Sequence, residues 1–297
     1  LDVLPQEFPC RLTGDFRSPV LDLVNADGSF GCDLRYQGYE ICDGKYNLKG
    51  LPAVYAAEEE AQTLIIYMKD QVTGLQVELL YGVLPEYDVI TRSAKVINTE
   101  EDKIRLTKAQ AACIDFLHGE FDVISFYGRH AMERNMQRTS VGHGAFVIGS
   151  RRGTSSHQYN PMLILAEKET TEDAGTCYGM SFVYSGGFKA EVEKDQFGQT
   201  RMQMGLQEEQ FSYPLKKGEE FVIPEVILTC SNQGLGKLSQ NLQRCIRKNL
   251  CRGKYKEKVR PVLINSWEAC YFDFTGEDIY HLAEQAKDLG IDMVVLD

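Results

Sequence analysis

The sequence predicts a mainly β protein in which two large packed sheets are followed by the start of an α/β fold. From residue 20 to about residue 230, short segments with alternating apolar and polar positions are separated by turn residues. Helical spacing becomes prominent only after residue 232. Residues 261–297 then carry an apolar strand, an amphipathic helix and a second apolar strand. The predicted divisions are therefore 1–235, 236–260 and 261–297.

The β region shows its pattern most clearly before residue 120. AQTLIIYMKD and LQVELLYGV flank the short turn QVTG, DVITRSAKVIN alternates apolar with polar positions, and TEEDKIRLTKAQAACIDF continues the series. Clusters of glycine, asparagine and aspartate, such as NADGSFG, CDGKYN and YSGGF, mark the turns. So many strands over about 200 residues imply two large antiparallel sheets rather than a small sandwich.

The segment 236–260 is predicted to be a linker helix followed by a connection. KLSQNLQRCIRKNLCRG has a helical pattern that ends at Gly253, and the basic stretch KYKEKVR follows it. The apolar positions at helical spacing are Leu238, Leu242, Cys245, Ile246 and Leu250.

Residues 261–297 predict a β-α-β unit. PVLINS and IDMVVL are the strands, TGED opens the helix as a capping box, and Gly290 ends it. The predicted apolar face of the helix comprises Ile279, Leu282, Ala283, Ala286 and Leu289. Parallel strands joined by a helix are buried on both faces, which explains why both strands are continuously apolar.

Trp267 and Asp297 follow these two strands and are the candidate binding residues. In α/β folds, ligands bind at the carboxyl ends of the strands. An indole can pack on the apolar side of a sugar ring while a carboxylate accepts hydrogen bonds from its hydroxyl groups. A purely structural alternative stays open, in which Trp267 fills space between domains and Asp297 caps a strand.

Composition and charge exclude several classes of function. The net charge of −11 argues against nucleic acids and anionic membranes as partners, because both require a surplus of lysine and arginine. No stretch has the length and apolarity of a membrane span, and the first residues lack the pattern of a signal peptide. Nine scattered cysteines without a C-x-x-C motif are typical of reduced thiols, which predicts a cytoplasmic protein.

Other chemistry-bearing residues are better interpreted as structural. Ser156 and His157 are adjacent in an extended segment and therefore point to opposite faces, and no G-x-S-x-G motif surrounds them. The five histidines lack the spacing of metal ligands, so no metal or cofactor is expected. The acidic runs 58–60 and 100–102 are predicted to be solvated surface.

Several long motifs resemble those of the α-galactosidases of glycoside hydrolase family 36. RPVLINSWEACYFDF followed by LGIDMVVLD is similar to the start of that family's catalytic barrel. Further matches run through DLRY, GKYNLKGLPAVY, SRRGTSSHQYNP and YGMSFVYSGGFKAEVEKDQFGQTRMQMG, so that the resemblance covers essentially the whole chain. Differences from common family patterns occur at GYEI, His130, Ser266 and Cys270.

The resemblance implies a large antiparallel β-supersandwich followed by the first β-α-β of a (β/α)8 barrel. It implies retaining hydrolysis of terminal α-1,6-linked galactose from melibiose and raffinose-type sugars by two carboxylates. The family's K-W-D-M-N nucleophile motif does not occur here, so both catalytic carboxylates are expected beyond Asp297 and this chain is expected to be an inactive fragment. By this resemblance Asp297 corresponds to an aspartate that binds galactose hydroxyl groups, and Trp267 to an aromatic residue that lines the galactose or leaving-group site. A homotetramer is the implied assembly.

Two other functions stay open at this point. The chain could belong to a non-catalytic carbohydrate-binding or assembly module, in which the β region is the functional part. The enzyme could instead act on α-linked N-acetylgalactosamine or transfer galactose to sucrose. Linkage and leaving-group preference depend on residues outside 1–297.

Overall fold

The computed structural model describes residues 3–11, 14–209 and 211–297, and within them lie seventeen strands and three α-helices. The chain forms two units, Leu1–Leu250 and Cys251–Asp297. The strands are β1 Leu21–Val24, β2 Leu34–Asp43, β3 Gln62–Asp70, β4 Gln76–Leu84, β5 Val89–Ile97, β6 Ile104–Phe116, β7 Phe121–Arg129, β8 Met132–Ser140, β9 Gly144–Gly149, β10 Tyr159–Glu167, β11 Cys177–Phe182, β12 Phe188–Lys194, β13 Thr200–Leu206, β14 Tyr213–Leu215, β15 Glu220–Ser231, β16 Leu263–Asn265 and β17 Met293–Val295. The helices are α1 Gly234–Cys245, α2 Trp267–Cys270 and α3 Gly276–Lys287.

The first unit contains two large antiparallel sheets, which confirms the predicted fold class. One sheet has nine strands in the order β2-β3-β4-β5-β15-β11-β10-β7-β8. The other has six strands, in the order β1-β6-β13-β12-β9 with β14 also paired to β6. The largest apolar core contains side chains from both sheets, including Leu79 and Val96 of one and Leu106, Phe188 and Met202 of the other. Fully burying one such side chain contributes about 1.5–3 kcal/mol.

Helix α1 covers a second apolar core in the same unit. Leu238, Leu242 and Cys245 belong to this core together with residues of the nine-stranded sheet such as Ile164 and Ile227. The helix starts at Gly234, two residues before the predicted segment 236–260, and it is followed by one π-helical turn over Ile246–Leu250. The part predicted as a linker helix therefore belongs to the β-sheet unit as far as Leu250.

Gly234 is required where α1 begins. Its φ is +78°, and a Cβ atom placed there would lie 2.5 Å from the carbonyl oxygen of Glu172. Only glycine adopts this left-handed conformation without a side-chain clash. The chain can therefore turn from β15 directly into the helix.

Four ionised side chains are buried together in the first unit. Arg201 is fully buried and donates from Nε and Nη2 to the two carboxylate oxygens of Asp115, each at 2.7 Å. Its Nη2 also donates to Asp15 at 2.8 Å, and Arg17 donates to both oxygens of Asp15 at 2.9 Å. Burial alone raises the pKa of Asp15, but hydrogen bonds from both arginines outweigh it, so that the pKa is lowered. We call Asp15, Arg17, Asp115 and Arg201 the buried ion cluster.

The buried thiol of Cys113 is predicted to make the free energy of unfolding of the first unit decrease at alkaline pH. Burial raises the pKa of Cys113 from 9.0 to about 12. The folded thiol keeps its proton where the unfolded thiol loses it, so stability falls as the pH rises from about 9 to about 12. In the Cys113→Ala variant this titrating group is absent. We therefore expect the slope of the free energy of unfolding against pH in this range to be less steep than that of the wild type by about 1.4 kcal/mol per pH unit.

Urea denaturation at several pH values, with reductant present, measures this slope. Val96→Ala removes buried apolar atoms without a titrating group, so it should lower the whole curve and leave its slope unchanged. Equal slopes for Cys113→Ala and the wild type would contradict the assignment.

The second unit contains the predicted β-α-β arrangement. Strands β16 and β17 pair in parallel, with Asn265 opposite Val295, and α3 lies between them in sequence. The capping box at the start of α3 is present, because Thr275 Oγ1 accepts from Asp278 N while Thr275 N donates to the Asp278 carboxylate at 2.7 Å. No helix among the described residues is long and apolar enough to cross a membrane.

Most of the predicted face of α3 is at least partly buried. Ala286 is buried, and Ile279, Leu282 and Ala283 are half-buried, whereas Leu289 is exposed. The helix ends at Lys287, so Leu289 lies beyond its last turn, and Gly290 follows with a φ of +75°. The predicted face is therefore correct for the helix itself and one residue too long.

Candidate functional site

The parallel pairing of β16 and β17 brings the two candidate residues to the same end of the strands. Trp267 follows β16 by two residues, and Asp297 follows β17 by two residues. The backbone N–H of Ser266 donates to the carbonyl of Val295 at 3.0 Å, which extends the pairing past the last residues of the strands. Both residues thus lie at the carboxyl end of the strands, where α/β folds bind their ligands.

Asn265 connects the two candidate residues through its side-chain amide. Its Nδ2 donates to Asp297 Oδ2 at 2.9 Å, and its Oδ1 accepts from the backbone N–H of Trp267 at 2.6 Å. One planar amide therefore fixes the direction of the carboxylate and the start of α2 together. We call Asn265, Ser266, Trp267 and Asp297 the strand-end site.

Ser266 supports the same arrangement from inside the unit. Its side chain is buried, and its Oγ accepts from the backbone N–H of Asp297 at 3.3 Å. This contact holds the main chain of Asp297 beside the end of β16. Asp297 itself is exposed, so hydroxyl groups of a ligand can donate hydrogen bonds to its carboxylate oxygens.

The Trp267 indole is held by two neighbouring aromatic rings. Its ring centroid lies 5.4 Å from that of Tyr271 and 4.8 Å from that of Phe272, and both pairs are edge-to-face. Such pairs contribute about 0.5–1.5 kcal/mol beyond the area they bury. Tyr271 has a φ of +50°, a conformation unusual for a residue with a side chain. The turn after α2 thus places these rings against the indole.

The strand-end site can bind a polyhydroxylated ring but lacks the groups for covalent catalysis. A partly buried indole offers an aromatic face, and one fixed carboxylate offers hydrogen-bond acceptors. Glycoside hydrolysis by this route requires two carboxyl groups, one on each side of the bond that breaks. Within the described residues, no group of three or more His, Cys, Asp or Glu side chains is placed to hold a metal ion.

The sequence analysis missed Asn265 and Ser266. The signal that could have identified them is their position, since they are the last residue of β16 and the one after it, next to the tryptophan. Elsewhere, His157 is exposed, and Ser156 Oγ accepts from the backbone of Gln158 at 3.2 Å in the loop between β9 and β10. The acidic runs 58–60 and 100–102 are exposed, as the sequence predicts.

Comparison with known families gives two matches that together cover nearly the whole chain. The family model described as the glycosyl hydrolase family 36 N-terminal domain matches residues 1–216. The model described as melibiase matches residues 220–297, which contain the strand-end site.

Curated relatives match over the full length of this chain. A bifunctional alpha-galactosidase/sucrose kinase of Mediterraneibacter gnavus is 61% identical over 297 residues, which are 100% of this chain and 32% of that protein. An alpha-galactosidase of Lactobacillus acidophilus is 43% identical over 297 residues, again 100% of this chain and 41% of the relative. The chain thus spans less than half of the length of these relatives.

Solved structures agree in fold. The galactosidase domain of an alpha-galactosidase-sucrose kinase superposes with a TM-score of 0.94 at 60% identity, covering 99% of this chain and 41% of that one. A variant alpha-galactosidase of Geobacillus stearothermophilus, solved in complex with raffinose, superposes with a TM-score of 0.95 at 43% identity, covering 100% of this chain and 42% of that one.

Proposed function

The chain belongs to glycoside hydrolase family 36, and on that premise we propose that it forms the N-terminal part of an α-galactosidase. The proposed reaction is the hydrolysis of terminal α-1,6-linked galactose from melibiose and raffinose-type oligosaccharides, with retention of configuration. The similarity to proteins described as alpha-galactosidases, one of them in complex with raffinose, supports this substrate class.

Within this proposal, residues 1–297 bind and orient the galactosyl ring. Trp267 packs on the apolar side of the ring, and Asp297 accepts hydrogen bonds from its hydroxyl groups. The observation that carries the proposal is the Asn265 amide, which holds the carboxylate and the first residue of α2 at one end of the strands. The nucleophile and the acid/base are assigned to carboxylates outside residues 1–297.

The direct test is an assay of the full-length gene product with melibiose and raffinose. We expect release of galactose, first as the α-anomer, which proton NMR detects before mutarotation. Residues 1–297 alone should show no hydrolysis, because one binding carboxylate cannot supply the two groups that the reaction needs. Binding of galactose without hydrolysis by the full-length protein would favour a non-catalytic carbohydrate-binding module instead.

Asn265 is proposed to position Asp297 rather than to touch substrate. For Asn265→Ala in the full-length protein we expect kcat/KM for melibiose to fall about 10–100-fold, because the carboxylate loses its fixed direction. The inhibition constant of galactose should rise in parallel. Glu277→Gln, an exposed change on α3, serves as the control and should leave both constants within about twofold of the wild type. If Asn265→Ala had the same kinetic constants as the wild type, Asn265 would not position Asp297 for substrate binding.

Two further features complete the proposal. A homotetramer is the proposed assembly, supported by the edge strand β2, which exposes Tyr36, Tyr39 and Ile41. A cytoplasmic location is supported by the nine cysteines, none of which forms a disulfide and all of which lie in described residues. Light scattering of the purified protein tests the assembly.

A further inference from the structure

Cys10 and Cys32 belong to two segments that pair with the same edge of strand β1. Strand β6 occupies the other edge along the whole of Leu21–Val24. On the edge that β6 leaves open, Cys10 forms a β-bridge with Leu21, and Phe30 forms one with Val24. The segment that ends at Cys10 and the segment that leads into Cys32 therefore lie one after the other beside the same short strand.

The backbones of these two segments touch next to the cysteines. A Cβ atom placed on Gly31 would lie 2.5 Å from the carbonyl oxygen of Arg11 and 3.2 Å from its Cβ atom. Gly31 also has a φ of +80°, so glycine is required at this close approach. Cys10 and Cys32 are the chain neighbours of Arg11 and Gly31. The backbone contact thus places the two cysteines within reach of each other.

The two thiols meet inside the larger apolar core of the first unit. Cys10 is 3% exposed and Cys32 is 6% exposed, and both belong to this core. A hydrogen bond between the two side chains, followed by burial, holds the pKa of the Cys10 thiol well above 9.0. A buried, protonated thiol reacts slowly, so the pair is stable in the reduced form until an oxidant is supplied.

We propose that Cys10 and Cys32 are an oxidation site, which a low-molecular-weight disulfide converts into an intramolecular disulfide bond. One cysteine loses its proton, and its sulfur attacks the reagent to form a mixed disulfide and to release one reagent thiolate. The other cysteine loses its proton in turn, and its sulfur attacks the protein sulfur of the mixed disulfide and releases the second reagent thiolate. The pair thereby loses two electrons and two protons, and one reagent disulfide is reduced to two thiols.

The new bond fastens segment 3–11 to the chain that enters β2. This segment contacts the buried ion cluster, since the backbone N–H of Gln6 donates to Asp115 at 2.9 Å and Arg17 donates to the carbonyl of Leu4 at 2.8 Å. Closing the loop between the two cysteines also restricts the unfolded chain. We expect the melting temperature of the oxidised protein to lie roughly 5–10 °C above that of the reduced protein.

Peptide mapping identifies the bond directly. The probe is the disulfide of 2-mercaptoethanol, added to the folded 297-residue chain before the remaining thiols are alkylated. Trypsin without reductant leaves Cys10 in peptide 1–11 and Cys32 in peptide 18–35. Mass spectrometry should find these two peptides joined, with two hydrogen atoms fewer than the separate peptides. The exposed Cys230 should carry the reagent as a mixed disulfide, which shows that the reagent is active.

Two variants assign the thermal effect to this pair. Cys32→Ala should give no joined peptide and no rise in melting temperature after oxidation. Cys177→Ala is the matched control, because it removes a buried thiol from the second apolar core, and it should keep both the joined peptide and the rise. Far-UV circular dichroism of the reduced variants checks that each one folds.

Three results would overturn the proposal. The first is the absence of the joined peptide in folded protein whose Cys230 has reacted completely. The second is a joined peptide that forms only in urea, which would mean that the native fold holds the two thiols apart. The third is an oxidised protein that contains the bond but melts no higher than the reduced protein, because the bond would then not fasten segment 3–11.

Discussion

Replacing Arg201 by methionine is expected to lower the free energy of unfolding of the first unit by about 3–5 kcal/mol. The substitution removes the two hydrogen bonds from Arg201 to Asp115 and the one from Arg201 to Asp15. Arg17 is then the remaining guanidinium partner of both buried carboxylates. Taking one partner from a buried ion pair costs more than the pair itself contributes, because the charge left behind remains desolvated. Urea denaturation of the 297-residue chain at pH 7 measures the change.

The loss in Arg201→Met should depend on pH in a defined direction. The pKa of Asp15 is lowered in the wild type, so the stability gained from this carboxylate is present above pH 3.8 and declines as the pH falls further. In the variant, Asp15 loses the hydrogen bond from Arg201 that helps to lower its pKa, so its carboxylate is more readily protonated. The difference between wild type and variant should therefore narrow as the pH falls from 7 to about 4.

An exposed arginine provides the matched control for this prediction. Arg35 pairs with Asp33 at 2.7 Å, but their side chains are 66% and 55% exposed. Arg35→Met should change the free energy of unfolding by less than about 1 kcal/mol. A similar small loss for Arg201→Met would show that the buried ion cluster is not a major source of stability.

Replacing Asp297 by asparagine in the full-length protein is expected to reduce kcat/KM for melibiose about 10–150-fold. Asparagine keeps the shape of the side chain but removes its charge and one acceptor oxygen. A hydrogen bond to a charged group contributes about 1.5–3 kcal/mol, and each 1.4 kcal/mol corresponds to a factor of ten in rate. Steady-state kinetics with melibiose and inhibition by galactose measure the loss.

Asp292, which directly precedes β17, offers a control for this prediction. It precedes β17, at the opposite end of the strand from Asp297, and its carboxylate accepts from the backbone of Val262 at 3.1 Å. Asp292→Asn should leave kcat/KM within about threefold of the wild type. If Asp297→Asn retained wild-type kinetics, Asp297 would be a structural cap, as the alternative interpretation holds.

Local patterns were sufficient to predict the β-α-β unit and the mainly β fold. The capping box at Thr275 and the continuous apolar strands are encoded within a few neighbouring residues, so periodicity and turn chemistry identify them. The placement of Trp267 and Asp297 follows from the parallel arrangement of the two strands. The bond from Asn265 to Asp297 depends in addition on the exact pairing of Asn265 with Val295, which spacing alone does not determine.

The buried ion cluster shows why other features could not be predicted. In β13, Arg201 and Gln203 alternate with Met202 and Met204. This alternation predicts that the two polar residues face solvent. Both are buried, and the guanidinium of Arg201 donates to the carbonyl of Ser18 at 3.1 Å. That partner is 183 positions away in sequence. Periodicity describes each strand alone and cannot show which distant segment will cover it.

The bond between Arg201 and Asp15 has a consequence for protein synthesis. The two residues are 186 positions apart. At about 5–20 residues per second, the ribosome adds Arg201 roughly 10–40 s after Asp15. During that interval the segment around Asp15 and Arg17 has no access to the guanidinium of Arg201. We therefore expect this early segment of the nascent chain to remain open to chaperones and proteases during that interval.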